Sequence, residues 1–337
     1  MYKNRKIVVV IPCYNCKEKI LEVLSGLAAS VDHIIVVDDA CPSGTGRYVQ
    51  THCRDPRVEV LFHSINGGVG AAMRTGYRRS LELRADITVK MDGDGQMDPA
   101  LLESIINPIR REVADYVKGN RFFEPEMLRQ MPWFRLLGNS ALSFLAKLAT
   151  GYWNIMDPTN GYTAIHHHAL SLLKLEKIDP GFFFETDMLF RLNLLSAAVV
   201  DVPMHAIYDD ERSNLRIFKA LPEFAVKNIR CFTKRILYTY FIRDFNIATL
   251  QFVGAVLLIG FGCVFGSYHW YLSATLNVPA TSGTVMLSAL PMILGIQFIL
   301  SALAYDISNI PRIPLQKILA TRRPGRAQIE EEDVTVV

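Results

Sequence analysis

Four short apolar runs recur through the first third of the chain, each cut off by a polar cluster. Lys6-Ile-Val-Val-Val-Ile11, His33-Ile-Ile-Val-Val-Asp38, Val58-Glu-Val-Leu-Phe62 and Asp86-Ile-Thr-Val-Lys-Met91 are rich in β-branched residues and predict strands buried on both faces. Between them, Ile20, Val23, Leu24 and Leu27, and then Ala71, Ala72, Thr75, Arg78 and Arg79, repeat at helical spacing. Strand–helix alternation of this kind predicts an α/β fold with a mostly parallel sheet and right-handed crossovers. From Gly119 the pattern loosens. Trp133 to Thr150 and Phe184 to Leu195 predict helices, Gly161-Tyr-Thr-Ala-Ile165 predicts a strand, and Val199-Val-Asp-Val-Pro203 returns to the sheet. Leu215 to Phe245 mixes aromatic with basic residues and predicts a pair of amphipathic helices on an anionic membrane surface.

Two later stretches, Ile247 to Gly266 and Val285 to Ala304, contain no charged residue. Each has the roughly 20 residues needed to cross a hydrocarbon core. The chain divides accordingly into a domain over residues 1–212, juxtamembrane helices over 213–246, two spans within 247–305 and a tail over 306–337, whose acidic end is expected to be disordered. Lys227, Arg230, Lys234, Arg235 and Arg243 precede the first span, and Arg312, Lys317, Arg322, Arg323 and Arg326 follow the second. The segment between the spans has neither Lys nor Arg, so the positive-inside rule predicts a hairpin with both termini cytoplasmic. No signal peptide is expected at the N-terminus.

With 337 residues, 50% of them hydrophobic, the chain has the composition of a membrane-anchored domain. Its net charge of +3 is accounted for by the flanks of the spans, so no nucleic-acid partner is expected. The six cysteines show no disulfide pattern. Cys13-Tyr-Asn-Cys16 has CxxC spacing, but no second pair completes a zinc site, and a redox or metal role is not expected.

The polar clusters all follow strands: Tyr14-Asn15, Asp38-Asp39, Asn66 and Asp92-Gly-Asp94. In parallel sheets ligands bind beyond the carboxyl ends of the strands, so four strand ends converge on one rim. Asp92 and Asp94 lie two residues apart in an extended segment and point the same way, about 6.6 Å apart. Two like charges held together call for a cation. Mg²⁺ takes oxygen ligands and favours one or two carboxylates plus substrate phosphates, with Gln96 as a further oxygen donor. Asn66-Gly-Gly-Val-Gly-Ala-Ala-Met-Arg-Thr-Gly76 superficially matches a dinucleotide fingerprint, but Met73 stands at the third glycine position. It reads as a turn into a helix whose free N–H groups favour anions. His166-His-His168 falls between a strand and a helix and is expected in a surface loop.

Together Ile11-Pro-Cys-Tyr-Asn15 with Glu18, Val37-Asp-Asp39, Asn66 to Ala72 with Gly76, and Asp92 to Gln96 resemble the ordered motifs of family 2 glycosyltransferases with the GT-A fold. Gly119-Asn-Arg121, Arg135 with Gly138-Asn139, Asp157-Pro-Thr-Asn-Gly-Tyr162 and Phe183-Phe-Glu185-Thr-Asp187 extend the likeness to the polyprenol-phosphate group, which includes dolichol-phosphate mannosyltransferases and bacterial relatives. The resemblance implies a GT-A, Rossmann-like sheet flanked by helices and a single inverting transfer from a nucleotide-diphosphate sugar to a polyprenyl phosphate. It also implies Mg²⁺ or Mn²⁺, a place in the bacterial inner membrane with the catalytic domain cytoplasmic, and a possible homo-tetramer.

Carried onto this chain, the resemblance puts Pro12, Tyr14, Asn15, Glu18 and Asn66 at the nucleotide pocket and Asp39 on the base or ribose. Asp92 falls on the nucleotide side, and Asp92, Asp94 and Gln96 fall at the metal. Arg121 and Arg135 meet the acceptor phosphate, Arg212 closes over the diphosphate, and Asp157 and Glu185 stand near the sugar. Asp38-Asp-Ala-Cys41 departs from the usual Asp-Asp-Gly-Ser, and Val69 replaces a usual Lys or Arg. The absent Gln-x-x-Arg-Trp signature favours one transfer over polymer synthesis. Two other readings follow the same residues. A lipid alcohol such as diacylglycerol would need a base, which Asp157 or Glu185 could supply; a non-catalytic scaffold would only bind a nucleotide sugar.

Overall fold

A computed structural model describes residues 5–123, 133–204 and 217–320, with the side chains of 133–137, 139, 217–221 and 320 left aside. Contacts divide the chain into two compact units, Met1–Phe232 with Pro311–Val337, and Thr233–Ile310.

In the first unit, β1 (Ile7–Cys13), β2 (His33–Asp38), β3 (Val58–Phe62) and β4 (Ile87–Lys90) alternate with α1 (Ile20–Gly26), α2 (Thr45–His52) and α3 (Val69–Glu82). There follow α4 (Leu102–Arg110), β5 (Tyr116–Asn120), α5 (Trp133–Thr150), β6 (Thr163–His166), α6 (His167–Leu172), α7 (Phe184–Leu194) and β7 (Val199–Pro203). Among the described residues seven strands form one sheet in the order β3-β2-β1-β4-β6-β5-β7. The pairings β1–β2, β1–β4, β2–β3 and β5–β7 are parallel, whereas β6 runs antiparallel between β4 and β5. This is an α/β sheet of the GT-A type, as expected. β1, β2 and β4 are buried throughout except for single positions, which suits their continuous apolar runs; β3 is an edge strand and only partly covered, contrary to the expectation of burial on both faces. The sequence pattern also did not announce α2, α4 or β5.

Val9, Ile11, Ile34, Val36, Ile87 and Val89 form the core on one face of the sheet with the apolar side of α1 and α4. On the other face α3 approaches β1 closely. A Cβ on Gly76 would stand 2.1 Å from Val10 Cγ1.

Asp115, just before β5, is buried at the sheet edge opposite the rim. Its Oδ2 accepts from the N–H of Ala198 at 3.0 Å and of Leu315 at 2.7 Å, and its Oδ1 from Gln316 N–H at 3.2 Å. The carboxylate thus docks α11 (Leu315–Ala320) onto the first unit, within the stretch expected to be tail. Gln316 completes the dock, donating from Nε2 to the carbonyls of Ile109 and Ala114.

α8 (Ile217–Ile236) begins in the first unit and continues into one π-helical segment, Leu237–Arg243, where the sequence predicted two helices. In the second unit α9 (Ile247–Leu276) and α10 (Ser282–Ser308) run 30 and 27 residues and pair along their length. Both are long and apolar enough to cross a membrane.

Gly76→Ala should lower the thermal unfolding midpoint of the purified chain, because overpacking against β1 costs about 1–3 kcal/mol. An unchanged midpoint would show that α3 can move away from the sheet without cost.

Candidate active site

The parallel strands β3, β2, β1 and β4 end side by side, so their polar C-terminal segments share one edge. Near the end of β1, Pro12 is partly covered, and beyond the strand Tyr14, Asn15 and Glu18 are exposed. Asn15 takes a left-handed conformation (φ 57°) and donates its N–H to Cys41 Sγ at 3.1 Å. Hydroxyls of Ser43 and Thr45 lie 3.0 and 3.2 Å from the same sulfur. Burial alone would raise the Cys41 thiol, but these hydroxyl and amide contacts outweigh it and bring it down to about 7. A serine at this place would bind neighbours as well; what cysteine adds is a reactive sulfur.

Asp39 is buried, and its oxygens already have protein partners. Oδ1 meets His63 Nδ1 at 2.7 Å and accepts Gly67 N–H at 2.9 Å; Oδ2 accepts Gly68 N–H at 2.7 Å. Its immediate work is to fix the glycine-rich turn. The same turn corrects the anion reading of α3. Asn66 Oδ1 also accepts from Gly68 N–H at 3.0 Å, while Ala71 N–H donates to Pro180 O at 3.1 Å. Segment 179–181 covers this helix end: a Cβ on Gly68 would stand 2.6 Å from Pro180 O, and one on Gly70 2.0 Å from Asp179 O. These glycines admit a neighbouring backbone rather than a bare anion.

After β4, Asp92, Asp94 and Gln96 are all partly exposed. Asp92 Oδ1 accepts from Lys90 Nζ at 2.6 Å. Asp94 Oδ1 accepts the Gln96 N–H at 3.0 Å. Lys19, Glu22, Asp94, Gln96 and Asp98 line a cavity of about 260 Å³ between α1 and this segment. Cys13 and Cys16, both free and buried, lie beneath: a Cβ on Gly93 would stand 3.0 Å from Cys16 Sγ and 3.3 Å from Cys13 Sγ. The CxxC spacing therefore serves packing. Among the described residues no three His, Cys, Asp or Glu side chains gather into a metal-holding group. The donors at this edge are oxygens only, from two carboxylates and an amide, which is the chemistry a hard divalent cation takes.

On the β5–β6 side, Asp157 is fully buried. Arg121 grips it with two nitrogens, Nε to Oδ2 at 2.7 Å and Nη2 to Oδ1 at 3.1 Å. Glu185, in the first turn of α7, lies 3.5 Å from Lys90 Nζ. Burial raises the Glu185 carboxyl against the pull of Lys90 and Lys118. Burial also works against the charged form of Lys90, but Asp92 and Glu185 outweigh it and its pKa is raised. Lys118, buried on β5, is brought down to about 8 chiefly by burial. The sequence reading passed over both lysines, though Ile87-Thr-Val-Lys90 and Tyr116-Val-Lys118 place Lys where a buried strand should be apolar. Arg212 and the side chain of Arg135 lie outside the described residues.

The histidine run is not a surface loop. His166 ends β6, is buried and accepts the His168 N–H at 3.2 Å; burial pushes its pKa down to about 3. It caps α6 as a neutral ring.

The family model described as glycosyl transferase family 2 matches residues 8–173. The chain is 34% identical over 203 residues to the undecaprenyl-phosphate mannosyltransferase of Micrococcus luteus, covering 59% of this chain and 82% of that one. It is 30% identical to the polyprenol monophosphomannose synthase of Mycolicibacterium smegmatis (60% and 77% covered) and 29% identical to the UDP-N-acetylglucosamine–dolichyl-phosphate N-acetylglucosaminyltransferase of Methanococcus voltae (61% and 88%). Among solved structures, glucosyl-3-phosphoglycerate synthase from Mycobacterium tuberculosis in complex with Mn²⁺, UDP and phosphoglyceric acid matches with a TM-score of 0.51 at 19% identity. That match covers 68% of this chain and 78% of the other, and it shows the fold alone. The ordered strand-end motifs, the sheet that carries them and relatives spanned over most of their length agree: the chain belongs to glycosyltransferase family 2.

Proposed function

We propose that this chain moves one sugar from a nucleotide-diphosphate sugar to a polyprenyl phosphate at a membrane, with inversion at the anomeric carbon. The observation that carries the reading is one sheet edge with two chemistries. Asp94 and Gln96 line a cavity with oxygen donors, and Arg121, just after β5, is held by a buried carboxylate in the loop before β6. The named relatives, whose titles speak of undecaprenyl-phosphate, polyprenol and dolichyl-phosphate, support the acceptor class.

In this reading Tyr14, Asn15, Glu18 and Asn66 line the nucleotide side, and Asp39 contributes by holding the Gly67–Gly68 turn. Asp94 and Gln96, with the Asp92 oxygen that Lys90 leaves open, would hold Mg²⁺ or Mn²⁺. Such an ion, when bound, supplies positive charge for the departing diphosphate. Arg121, oriented by Asp157, receives the acceptor phosphate, whose oxygen forms the new bond to the sugar as the bond to the nucleoside diphosphate breaks. A phosphate is anionic already and needs no base. That requirement favours it over an alcohol acceptor, because Asp157 is committed to Arg121 and Glu185 is buried against Lys90. The two long apolar helices support a membrane location, with the catalytic unit on the cytoplasmic side by the charge of their flanks.

Incubating the purified chain with UDP-glucose, UDP-N-acetylglucosamine or GDP-mannose and either undecaprenyl phosphate or diacylglycerol should give product with the phosphate alone. Product formed solely from diacylglycerol would overturn the acceptor, and a chain that binds donor without turnover would be a scaffold. Asp94→Asn should lower kcat about 100–1,000-fold with folding unchanged; chelation by EDTA should match that loss, and added Mg²⁺ or Mn²⁺ should reverse it. Iodoacetamide should label Cys41 ahead of buried Cys13, with a rate that climbs as pH rises through about 7. UDP or GDP should protect it; equal labelling with either nucleotide present would remove Asn15 and its neighbours from the nucleotide side.

A further inference from the structure

β6 lies between β4 and β5, and Thr163 at its start is paired with Lys90 on one side and Lys118 on the other. Cross-strand partners share a sheet face, so both lysines lie on one face, flanking Thr163. Their ammonium groups reach two neighbouring residues of the loop before β6. Lys118 Nζ donates to Asn160 O at 2.6 Å, and Lys90 Nζ donates to Gly161 O at 3.2 Å. Lys90 also holds Asp92 Oδ1 at 2.6 Å and lies 3.5 Å from Glu185. Both lysines are essentially inaccessible to solvent.

The loop they grip is the one that carries Asp157. Its carboxylate takes Arg121 and also accepts from Thr159 Oγ1 at 3.2 Å and Asn160 Nδ2 at 3.4 Å. Asn160 Oδ1 accepts the Tyr162 N–H at 2.8 Å. At Gly161 a Cβ would stand 2.5 Å from Lys90 Nζ and 2.6 Å from Asp92 Oδ2, so a side chain there would displace the ends of both. Burying an ammonium costs several kcal/mol unless it is paired and hydrogen-bonded. An apolar residue would fill either strand position without that cost. What lysine adds is a charged donor long enough to reach a rim carbonyl from inside the sheet.

We propose that Lys90 and Lys118 are positioning residues for sugar transfer, bracing the Asp157–Gly161 loop from two strands so that Arg121 and Asp92 keep a fixed separation across the rim. The proposal rests on the transferase reading above. Neither lysine touches substrate in it: Lys118 acts through Asn160 and the Asp157–Arg121 pair, and Lys90 through Gly161 and Asp92.

The test compares the full chain in detergent with Lys118→Met and with Gly161→Ala, which disturbs the brace from the loop while leaving every charge in place. Amide hydrogen exchange of the ligand-free proteins is read at residues 157–162 and at β1. Steady-state kinetics use whichever of UDP-glucose, UDP-N-acetylglucosamine and GDP-mannose turns over with undecaprenyl phosphate. Both variants should exchange faster at 157–162 and keep β1 protection. Their kcat should fall about 100-fold, the scale of a small misplacement of reacting groups, while the donor KM moves less than about threefold. Wild-type exchange at 157–162 in either variant overturns the brace, and so does faster exchange throughout β1, which would make the lysines general supports of the fold. Faster exchange at 157–162 with wild-type kcat overturns the positioning role. If Lys118→Met does not fold, Gly161→Ala decides on the same readouts. A wild-type chain inactive with every pair defeats the transferase reading instead, and exchange at 157–162 still decides the brace.

Discussion

Two ammonium groups sealed inside the end of a β-sheet constrain everything above them. Each must find opposite charge and hydrogen-bond acceptors or give up its proton, since desolvating an ion costs several kcal/mol. Lys90 finds Asp92, Glu185 and Gly161 O; Lys118 finds Asn160 O. Those bonds tie down the loop before β6, where a Cβ at Gly161 would press on Lys90 Nζ and Asp92 Oδ2. Asp92 is asymmetric: Oδ1 is held by Lys90, and Oδ2 packs beside Gly161. An apolar sheet end would be cheaper to bury and would leave that loop to find its own conformation.

The carboxylates at this edge divide by environment more than by sequence. Asp157 is buried under a two-point guanidinium contact; losing its partner would strand a charge in the interior at about 3–5 kcal/mol. Asp157 is therefore better suited to aim Arg121 than to take a proton. Glu185 is buried with its carboxyl raised, against a lysine whose charge offsets it in part. Asp94 lines a cavity, beside Gln96. A charge arrangement prepared before substrate arrives avoids reorganisation during the reaction, which is the main advantage of electrostatic catalysis.

β1, β2 and β4 were legible because buried parallel strands must be apolar on both faces, and their runs left no other reading. β3 kept the same residue types while lying on an edge, where β-branched residues serve equally well. The antiparallel β6 could not be foreseen: Gly161 to Ile165 reads as a strand in either direction, and its partners β4 and β5 lie far from it in sequence. Lys90 sat in plain view inside the Asp86–Met91 run, where its charge was passed over because the run as a whole reads as a strand. The glycines at 68 and 70 were legible as glycines, but their reason lay more than a hundred residues away in Pro180 and Asp179. His166 misled for a related cause, since a histidine run is polar by composition and only tertiary packing made one ring neutral and buried. Asp39 followed its motif, yet its partners are His63 and a turn, which no spacing rule conveys.

The surface of the second unit is suited to a different solvent. Of the most apolar window in each long helix, 22% of α9 and 11% of α10 is covered by protein. Residues such as Val256, Val264 and Trp270 stand exposed, and in water such surface would favour aggregation. In hydrocarbon the same surface carries no penalty, and the helices satisfy their own backbone groups. Several polar side chains there are answered from within the unit. Gln251 Nε2 donates to Ser301 Oγ at 2.8 Å between the two helices. Near the end of α10, Asp306 accepts from Arg235 Nη1 at 2.6 Å and Nη2 at 3.0 Å and from the Tyr240 hydroxyl at 2.6 Å. Both units thus follow one rule: a charge removed from water is kept where its partners hold a particular stretch of chain in place, the rim loop in the first and the helix preceding the hairpin in the second.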